Sequence, residues 1–274
     1  MDPKRAGFIP GPCFFADYAF PGLCYHGPMI ALLTDFGLNG PYVGQLHAVL
    51  AESAPAVPVI DLLHDVPRHD VRAGAYLLPG LLSPFPASTV FLCVVDPGVG
   101  GTRRAVAVHA DGRWFVGPDN GLFHALARRA ERLGCYEILW RPAHLSSTFH
   151  GRDLFAPVAA GLTRGALPES RPASLAAPDG ETWPDDLPEV IYIDGFGNAV
   201  TGLLAGHAEA GHAEAGRVVR VRGQTLRYAA TFSAVAPGKA FWYHNSSDLV
   251  GIAVNEGSAA DVLGLQLGDR VEIG

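Results

Sequence analysis

The sequence predicts an α/β domain with an open, mostly parallel sheet flanked by helices, followed by a small all-β, barrel-like domain. Between residues 29 and 164, short apolar runs alternate with segments of helical periodicity, as in parallel α/β sheets. After residue 188, short strand-like segments follow one another at the spacing typical of a small barrel or sandwich. We therefore assign residues 29–164 to the first domain, 165–188 to a linker rich in Pro, Ser, Ala and Asp, and 189–274 to the second domain.

The elements of the first domain follow from apolar runs and from helix-start signals. Uninterrupted apolar runs that end at polar residues are typical of buried parallel strands. They predict strands at Met29–Leu33, Val57–Leu63, Thr89–Val95, Ala105–His109 and Trp114–Gly117. A proline in the first helical turn and an aspartate at an N-cap both favour a helix start. Helices are accordingly predicted after Pro41, after Asp70, and at Leu122–Arg129 and Leu154–Leu162.

The second domain is predicted to consist of short strands joined by turns. The predicted strands are Val190–Ile193, Val218–Val221, Thr225–Tyr228, Ala240–Tyr243, Val250–Val254 and Arg270–Ile273. Before the second of them, the sequence Gly-His-Ala-Glu-Ala occurs twice in succession, at 206–210 and 211–215. Such a duplication is typical of a tolerated loop insertion, and we prefer that interpretation to a metal site.

Composition and charge argue against several classes of protein. Of the 274 residues, 49% are hydrophobic, which is ample for a core, and the formal charge is −7. Basic residues form no cluster beyond pairs such as Arg103-Arg104 and Arg128-Arg129, so no nucleic-acid partner is expected. No apolar run approaches the roughly 18 residues of a membrane span. Residues 1–28 lack a clean apolar signal-peptide core. We expect them to be a loose tail, or the result of an upstream start codon with Met29 beginning the folded unit, and we expect a cytoplasmic protein.

Asp35 is the first candidate for ligand binding. It follows the first predicted strand, inside the glycine-rich segment 34–44. In open α/β sheets ligands bind beyond the carboxyl ends of the strands, where a carboxylate can accept hydrogen bonds from a ribose diol. The neighbouring glycines would let a ligand approach the backbone. The alternative is that Asp35 only caps a turn, and the segment alone does not decide between the two.

A second candidate site follows the third predicted strand. Asp96 and Arg103 flank a loop of Pro, Gly and Val residues with little side-chain bulk, and the two can form a charge-assisted pair. The plainer interpretation is a structural turn with one surface ion pair, worth about 0–1 kcal/mol. The loop lies where the fold should hold a ligand, and this favours the functional interpretation.

Other polar segments gain weight only in combination. His150 precedes a predicted helix that Asp153 is expected to cap, so the imidazole is free to reach a ligand. The turn Pro118–Gly121 is expected to be mainly structural. His64-Asp65 and His69-Asp70 are expected in a solvated loop. The spacing of the cysteines and histidines fits no metal site, so none is predicted.

Five segments together resemble the S-adenosylmethionine hydrolase (hydroxide adenosyltransferase) family, whose relatives form 5′-fluoro- and 5′-chloro-5′-deoxyadenosine. In chain order they are TDFGLNGPYVG, DPGVGGTRR, GPDNGLF, STFHGRD and IDGFGNAV. The resemblance covers roughly Met29 to Gly274, and five such segments in this order are specific. It implies that water cleaves the C5′–sulfur bond of S-adenosyl-L-methionine to give adenosine and methionine, without a metal or cofactor. It also implies a homotrimer with sites between neighbouring subunits.

The resemblance also implies a role for individual residues. The catalytic set is Asp96, Arg103 and His150. Our hypothesis is that Arg103 and His150 hold the attacking water and stabilise the developing negative charge, while Asp96 orients them and helps to relay the proton. The remaining assignments are Asp35 for the ribose, Asp194, Asn198 and Ser246 for the methionine moiety, and Phe232 with the segment that includes Asn255 and Ala259 for the adenine. Halogenating relatives have an aromatic residue in place of Asp96 and a serine in place of Gly151. Both departures favour water as the nucleophile.

Other functions remain open from the sequence. The same Asp and His loops could serve a metal-dependent nucleoside or phosphoester hydrolase, which a chelator would inactivate. A non-catalytic S-adenosylmethionine-binding protein would leave its ligand intact. Weak halogenase activity is a further alternative, and Gly151 counts against it.

Overall fold

The computed structural model describes residues 27–178, 183–206 and 218–274. In the first domain the strands are β1 Ile30–Thr34, β2 Val59–Leu63, β3 Val90–Val94, β4 Ala105–Ala110, β5 Arg113–Pro118, β6 Leu133–Ile138 and β7 Ser170–Pro172. The helices of this domain are α1 Tyr42–Ser53, α2 Val71–Gly80, α3 His124–Arg129 and α4 Ala156–Leu162, and a π-helical turn, Gly151–Phe155, leads into α4. Asp70 caps α2 as predicted, because its carboxylate accepts a hydrogen bond from the Ala73 amide.

The first domain is built on a seven-stranded sheet with the order β2-β1-β3-β5-β4-β6-β7. Strands β2, β1, β3 and β5 run parallel, whereas β4, β6 and β7 add antiparallel pairings at the other side. Every residue of β1 and β3 is buried, because both strands lie inside the sheet and are covered on both faces. The predicted open, mostly parallel sheet is confirmed, and the carboxyl ends of β1 and β3 lie side by side at one edge.

Alternate residues of β1 pack into two separate cores, one on each face of the sheet. Ile30 and Leu32 join a cluster that includes Leu46 of α1 and Val158 of α4. On the opposite face, Leu33 joins a cluster with residues of α2 and α3. Because successive side chains of a strand point to opposite faces, β1 packs against α1 and α4 on one face of the sheet and against α2 and α3 on the other.

The second domain is all-β, as predicted. Its strands are β8 Leu187–Ile193, β9 Ala199–Leu204, β10 Val218–Val221, β11 Gln224–Arg227, β12 Ala240–His244, β13 Leu249–Val254 and β14 Val271–Ile273, with a short helix α5, Ala259–Leu263. They form two antiparallel sheets, β12-β13-β9-β8 and β11-β10-β14, rather than one closed barrel within the residues described. Valines of both sheets, such as Val219 and Val250, share a single core.

The two domains pack against each other through α2. Tyr76 and Leu77 of this helix share an apolar cluster with Ile191 of β8 and Val200 of β9. At the end of α2, a side chain at Gly80 would overlap the backbone of Ser247 in the second domain. This contact holds loops of the second domain close to the end of β2.

Several elements were not anticipated from the sequence. They are β6, β7, β9 and α5. Strand β7 pairs with β6 at the edge of the first sheet, so the sheet extends into the segment predicted as a linker. The repeated Gly-His-Ala-Glu-Ala segment and the predicted tail lie almost entirely outside the described residues. Over the described ranges, no helix combines the length and the apolar character needed to cross a membrane.

Candidate active site

Asp96, Arg103 and His150 form one hydrogen-bonded unit. The Arg103 Nε donates to both carboxylate oxygens of Asp96, at 3.0 and 3.2 Å, and Nη2 also donates to Oδ2. The same Nη2 lies 2.9 Å from His150 Nδ1. The Arg103 and Asp96 side chains are only 11% and 4% exposed, so solvent screens this pair far less than a surface ion pair. The predicted Asp96–Arg103 pair is therefore present, and Arg103 joins it to His150.

A close approach of two loops at Gly100 makes this unit possible. Gly100 has a φ of +78°, and a side chain there would overlap the carbonyl oxygen of Ser147. Glycine meets both conditions, because it tolerates positive φ and has no Cβ. The loop that carries Arg103 can therefore lie directly against the loop that carries His150.

The hydrogen bond from Arg103 fixes the proton position on His150. A guanidinium can only donate, so Nδ1 of His150 must accept, and the neutral ring carries its proton on Nε2. Burial and the positive charge of Arg103 hold the pKa of His150 below its ordinary value of 6.5. His150 is therefore a neutral hydrogen-bond donor through Nε2 near neutral pH.

Asp96 and His150 line a cavity of about 250 Å³ together with Asp35, here called the Asp35 cavity. Three aromatic rings form part of its wall: Phe149 lies 5.7 Å from Phe36 and 5.3 Å from Tyr42, measured between ring centroids. Arg103 lines a neighbouring cavity. The expectation that Arg103 holds the attacking water stays a prediction.

Asp35 is held by the segment that follows β2. Asp35 lines the cavity, and its Oδ2 accepts a hydrogen bond of 2.9 Å from the backbone amide of His69. Among the residues that the structure describes, none donates a hydrogen bond to its other oxygen. His69 has an exposed side chain, as expected for a solvated loop. The same expectation was wrong for His64, whose side chain is only 3% exposed and is bonded to Thr34 and Asp61.

The second-domain residues assigned by resemblance divide into two groups. Asp194, Asn198, Phe232 and Ser246 line a separate cavity of about 460 Å³ at the contact between the domains, here called the Asp194 cavity. The Asp194 carboxylate accepts from the amides of Phe196 and Asn198 and from the Asn198 side chain, each at 2.9 Å. These bonds orient both side chains at the cavity.

Asn255 and Ala259 line neither of these two cavities. The side-chain amide of Asn255 donates to the carbonyl oxygen of Val235 at 2.7 Å, and Ala259 is fully buried in the core of the second domain. Their assigned contact with adenine stays a prediction.

Two motif residues have structural partners instead. Asp119 of the predicted turn is buried and pairs with Arg104, next to Arg103 in sequence. Asp153 does not cap the following helix: it lies within the π-helical turn, pairs with Arg152 and accepts from the Ser146 amide. The cap was mispredicted because the helix begins as a π turn before the aspartate.

The aromatic wall of the Asp35 cavity was not singled out from the sequence. Tyr42, the first residue of α1, is half exposed and lines the cavity. The available signal was its position, directly after the glycine-rich segment that carries Asp35. Within the ranges described, no group of three or more His, Cys, Asp or Glu residues is arranged to hold a metal ion.

Comparison with known proteins identifies the family. Models of the N-terminal and C-terminal domains of SAM hydroxide adenosyltransferases match residues 30–171 and 188–272. An (R)-S-adenosyl-L-methionine hydrolase of Salinispora tropica is 40% identical over 90% of this chain and 97% of its own length. The corresponding protein of Thermus thermophilus is 41% identical, over 89% of this chain and 98% of its own length.

More distant relatives and solved structures agree with this result. A fluorinase of Nocardia brasiliensis is 27% identical over 50% of this chain and 55% of its own length. An uncharacterised protein of Thermotoga maritima superposes with a TM-score of 0.80 at 33% identity, over 90% of this chain and all of the other. The family models cover both domains, and the hydrolases match almost end to end. The chain therefore belongs to the S-adenosyl-L-methionine hydroxide adenosyltransferase family.

Proposed function

We propose that the protein hydrolyses S-adenosyl-L-methionine at the C5′–sulfur bond and releases adenosine and L-methionine. The names of the relatives specify the (R) form, which is the substrate we propose for this chain. The observation that carries the proposal is the unit in which Arg103 joins Asp96 to His150, beside a cavity that also contains Asp35.

Substrate placement follows from the chemistry of the cavity walls. The free carboxylate oxygen of Asp35 would accept hydrogen bonds from the ribose hydroxyls, and the rings of Phe36, Tyr42 and Phe149 would cover the apolar faces of the nucleoside. A sulfonium also favours aromatic faces and carboxylates, because it carries a positive charge. This arrangement would direct C5′ towards Asp96 and His150.

In the proposed reaction, a water oxygen bonds to C5′ while the C5′–sulfur electron pair leaves with methionine as a neutral thioether. His150 donates to this oxygen through Nε2, and Asp96 accepts the proton that the water loses. Arg103 is a positioning residue that holds both groups. Positioning can lower a barrier by up to about 7–11 kcal/mol in ideal cases, and a general base adds roughly 10²–10⁴ in rate.

Assembly is part of the proposal. We infer a cytoplasmic homotrimer with sites between subunits, and we infer that the reaction needs no metal or cofactor. The support for shared sites is that residues assigned to one small substrate line two different cavities of this chain. Association would bring the Asp194 cavity of one subunit to the Asp35 cavity of the next. Light scattering of the purified protein should give three times the chain mass, and a monomer with full activity would contradict this part.

The function is tested by incubating the purified chain with the (R) and (S) sulfonium epimers of S-adenosyl-L-methionine separately. We expect adenosine and methionine in equal amounts, faster from the (R) epimer, and no loss of rate with a chelator. Intact substrate after prolonged incubation would indicate a binding protein instead. Loss of activity with the chelator would favour a metal-dependent hydrolase.

A further inference from the structure

A chain of hydrogen bonds links the turn that carries Asp35 to strand β2. Thr34, the last residue of β1, is fully buried, and its Oγ1 lies 2.8 Å from His64 Nδ1. His64 Nε2 lies 3.0 Å from Asp61 of β2. The Phe36 amide donates to the same Thr34 Oγ1 at 3.2 Å. The proposed reaction uses neither Thr34 nor His64.

The donor and acceptor of each bond in this chain can be assigned. The His64 and His47 side chains hydrogen bond to Asp61 and, against the effect of partial burial, hold its carboxyl pKa below the ordinary value. The ionised carboxylate only accepts, so His64 donates through Nε2, and in that tautomer its Nδ1 accepts. The Thr34 hydroxyl then donates to Nδ1 and accepts from the Phe36 amide. The direction of the bonds therefore runs from Phe36 to Asp61.

The backbone reinforces the same turn. The Gly37 amide donates to the His64 carbonyl oxygen at 2.6 Å, and the Val66 amide donates to the Thr34 carbonyl oxygen at 3.3 Å. A few residues later, the His69 amide holds Asp35 itself. One segment after β2 thus fixes the turn through its main chain, through the His64 side chain and through a direct bond to the carboxylate.

We propose that Thr34 and His64 are positioning residues, which hold Asp35 and Phe36 in the geometry that binds the nucleoside half of the substrate. The proposal rests on the function proposed above, since it assigns the Asp35 cavity to a nucleoside. The contacts of Asp35 and Phe36 with the nucleoside lie away from the reacting bond, so we expect them to be equally strong in the ground state and in the transition state. Loss of the positioning bond should therefore raise KM and leave kcat nearly unchanged.

Thr34→Val and Thr34→Ser provide the first test. Valine keeps the volume and removes the hydroxyl, whereas serine keeps the hydroxyl. We expect Thr34→Val to raise KM, and the Kd for adenosine, by about three- to tenfold, the factor for one ordinary hydrogen bond, and Thr34→Ser to restore both.

Thr201 supplies a matched control for this substitution. It is fully buried in β9, donates to the Val250 carbonyl oxygen and accepts from the Leu203 amide two residues later. Thr201→Val thus removes a comparable hydroxyl in the second domain. Both Thr201→Val and Thr34→Val should lower the melting temperature, but Thr201→Val should leave KM and the adenosine Kd unchanged.

His64 can be tested with two amides that each keep one of its bonds. Asparagine can place a carbonyl oxygen near the Nδ1 position, where it accepts from Thr34, whereas glutamine can place an amide nitrogen near Nε2, where it donates to Asp61. We expect His64→Asn to stay close to the wild type in KM and His64→Gln to resemble Thr34→Val. If both variants keep the wild-type KM and adenosine Kd and lower only the melting temperature, His64 supports folding alone and the proposal is overturned.

The failure of this proposal can be distinguished from the failure of the proposed function. If the wild type binds adenosine but does not cleave the substrate, the reaction assignment fails, and the adenosine Kd of the variants still tests positioning. If Thr34→Val is folded and its adenosine Kd equals that of the wild type, positioning is refuted whatever the reaction. If the wild type neither binds adenosine nor cleaves the substrate, both proposals fall.

Discussion

Replacement of Arg103 by lysine tests whether the guanidinium group is needed to bond Asp96 and His150 at the same time. Arg103 bonds to Asp96 through Nε and Nη2 and to His150 through Nη2. Lysine keeps the positive charge but offers a single nitrogen on a flexible stem, so it cannot reproduce this geometry. Arg103→Lys should therefore disorder the relative positions of the two groups that face the cavity.

The expected loss follows from the bonds that lysine cannot make. Hydrogen bonds to charged groups are worth about 1.5–3 kcal/mol each, and the variant loses the equivalent of two. The transition state therefore loses about 3–6 kcal/mol of stabilisation, which corresponds to a decrease in kcat of roughly 10²–10⁴. The low exposure of the Arg103 and Asp96 side chains supports the full value, since solvent does not screen them.

Arg104 is the matched control. It is adjacent in sequence and pairs with the buried Asp119 and the Ser174 carbonyl oxygen instead of Asp96 and His150. Adenosine release at saturating substrate should fall for Arg103→Lys alone, while Arg104→Lys should lower the melting temperature and keep kcat within about threefold of the wild type. If Arg103→Lys keeps wild-type kcat, or if both variants lose activity equally, the positioning role of Arg103 is refuted.

Further predictions concern pH and three glycines. Because burial and Arg103 lower the pKa of His150, kcat/KM should fall on the acid side with a midpoint below 6.5, and a midpoint above 6.5 would contradict the assigned environment. Acidification from 6.5 towards that pKa should also reduce stability, since the unfolded chain binds the proton more readily; the melting temperature measured against pH checks this sign. Gly100→Ala should abolish most activity, because the new side chain would clash with Ser147 and alanine is strained at this positive φ. Gly165→Ala meets the same backbone strain without a clash, so it should affect only the melting temperature. Gly44→Ala in α1 meets open space and should stabilise the protein by about 0.5–1 kcal/mol in denaturant unfolding.

The sequence predicted the parallel part of the fold because its signals are local. The apolar runs of β1 and β3 are buried on both faces, so each is visible without knowledge of its neighbours. Strand β7 is three residues long and exists through its pairing with β6 at the sheet edge, which no local pattern reveals. The division of the second domain into two sheets likewise depends on pairings between distant residues.

The same distinction applies to the candidate site. Asp96 and Arg103 flank one short loop, so their pairing could be predicted from sequence. The burial of His64 could not, because it depends on Thr34 and Asp61 in two neighbouring strands. The bond between Arg103 and His150 likewise depends on the contact of two loops at Gly100.

Hydrolysis in ¹⁸O-labelled water shows which atom attacks C5′, because the proposed reaction brings a water oxygen to this carbon beside Asp96 and His150. Mass spectrometry of the products should find the label in the 5′-hydroxyl of adenosine and none in methionine. Unlabelled adenosine, or label in methionine, would mean that another bond breaks or another nucleophile attacks, and would contradict the proposed reaction.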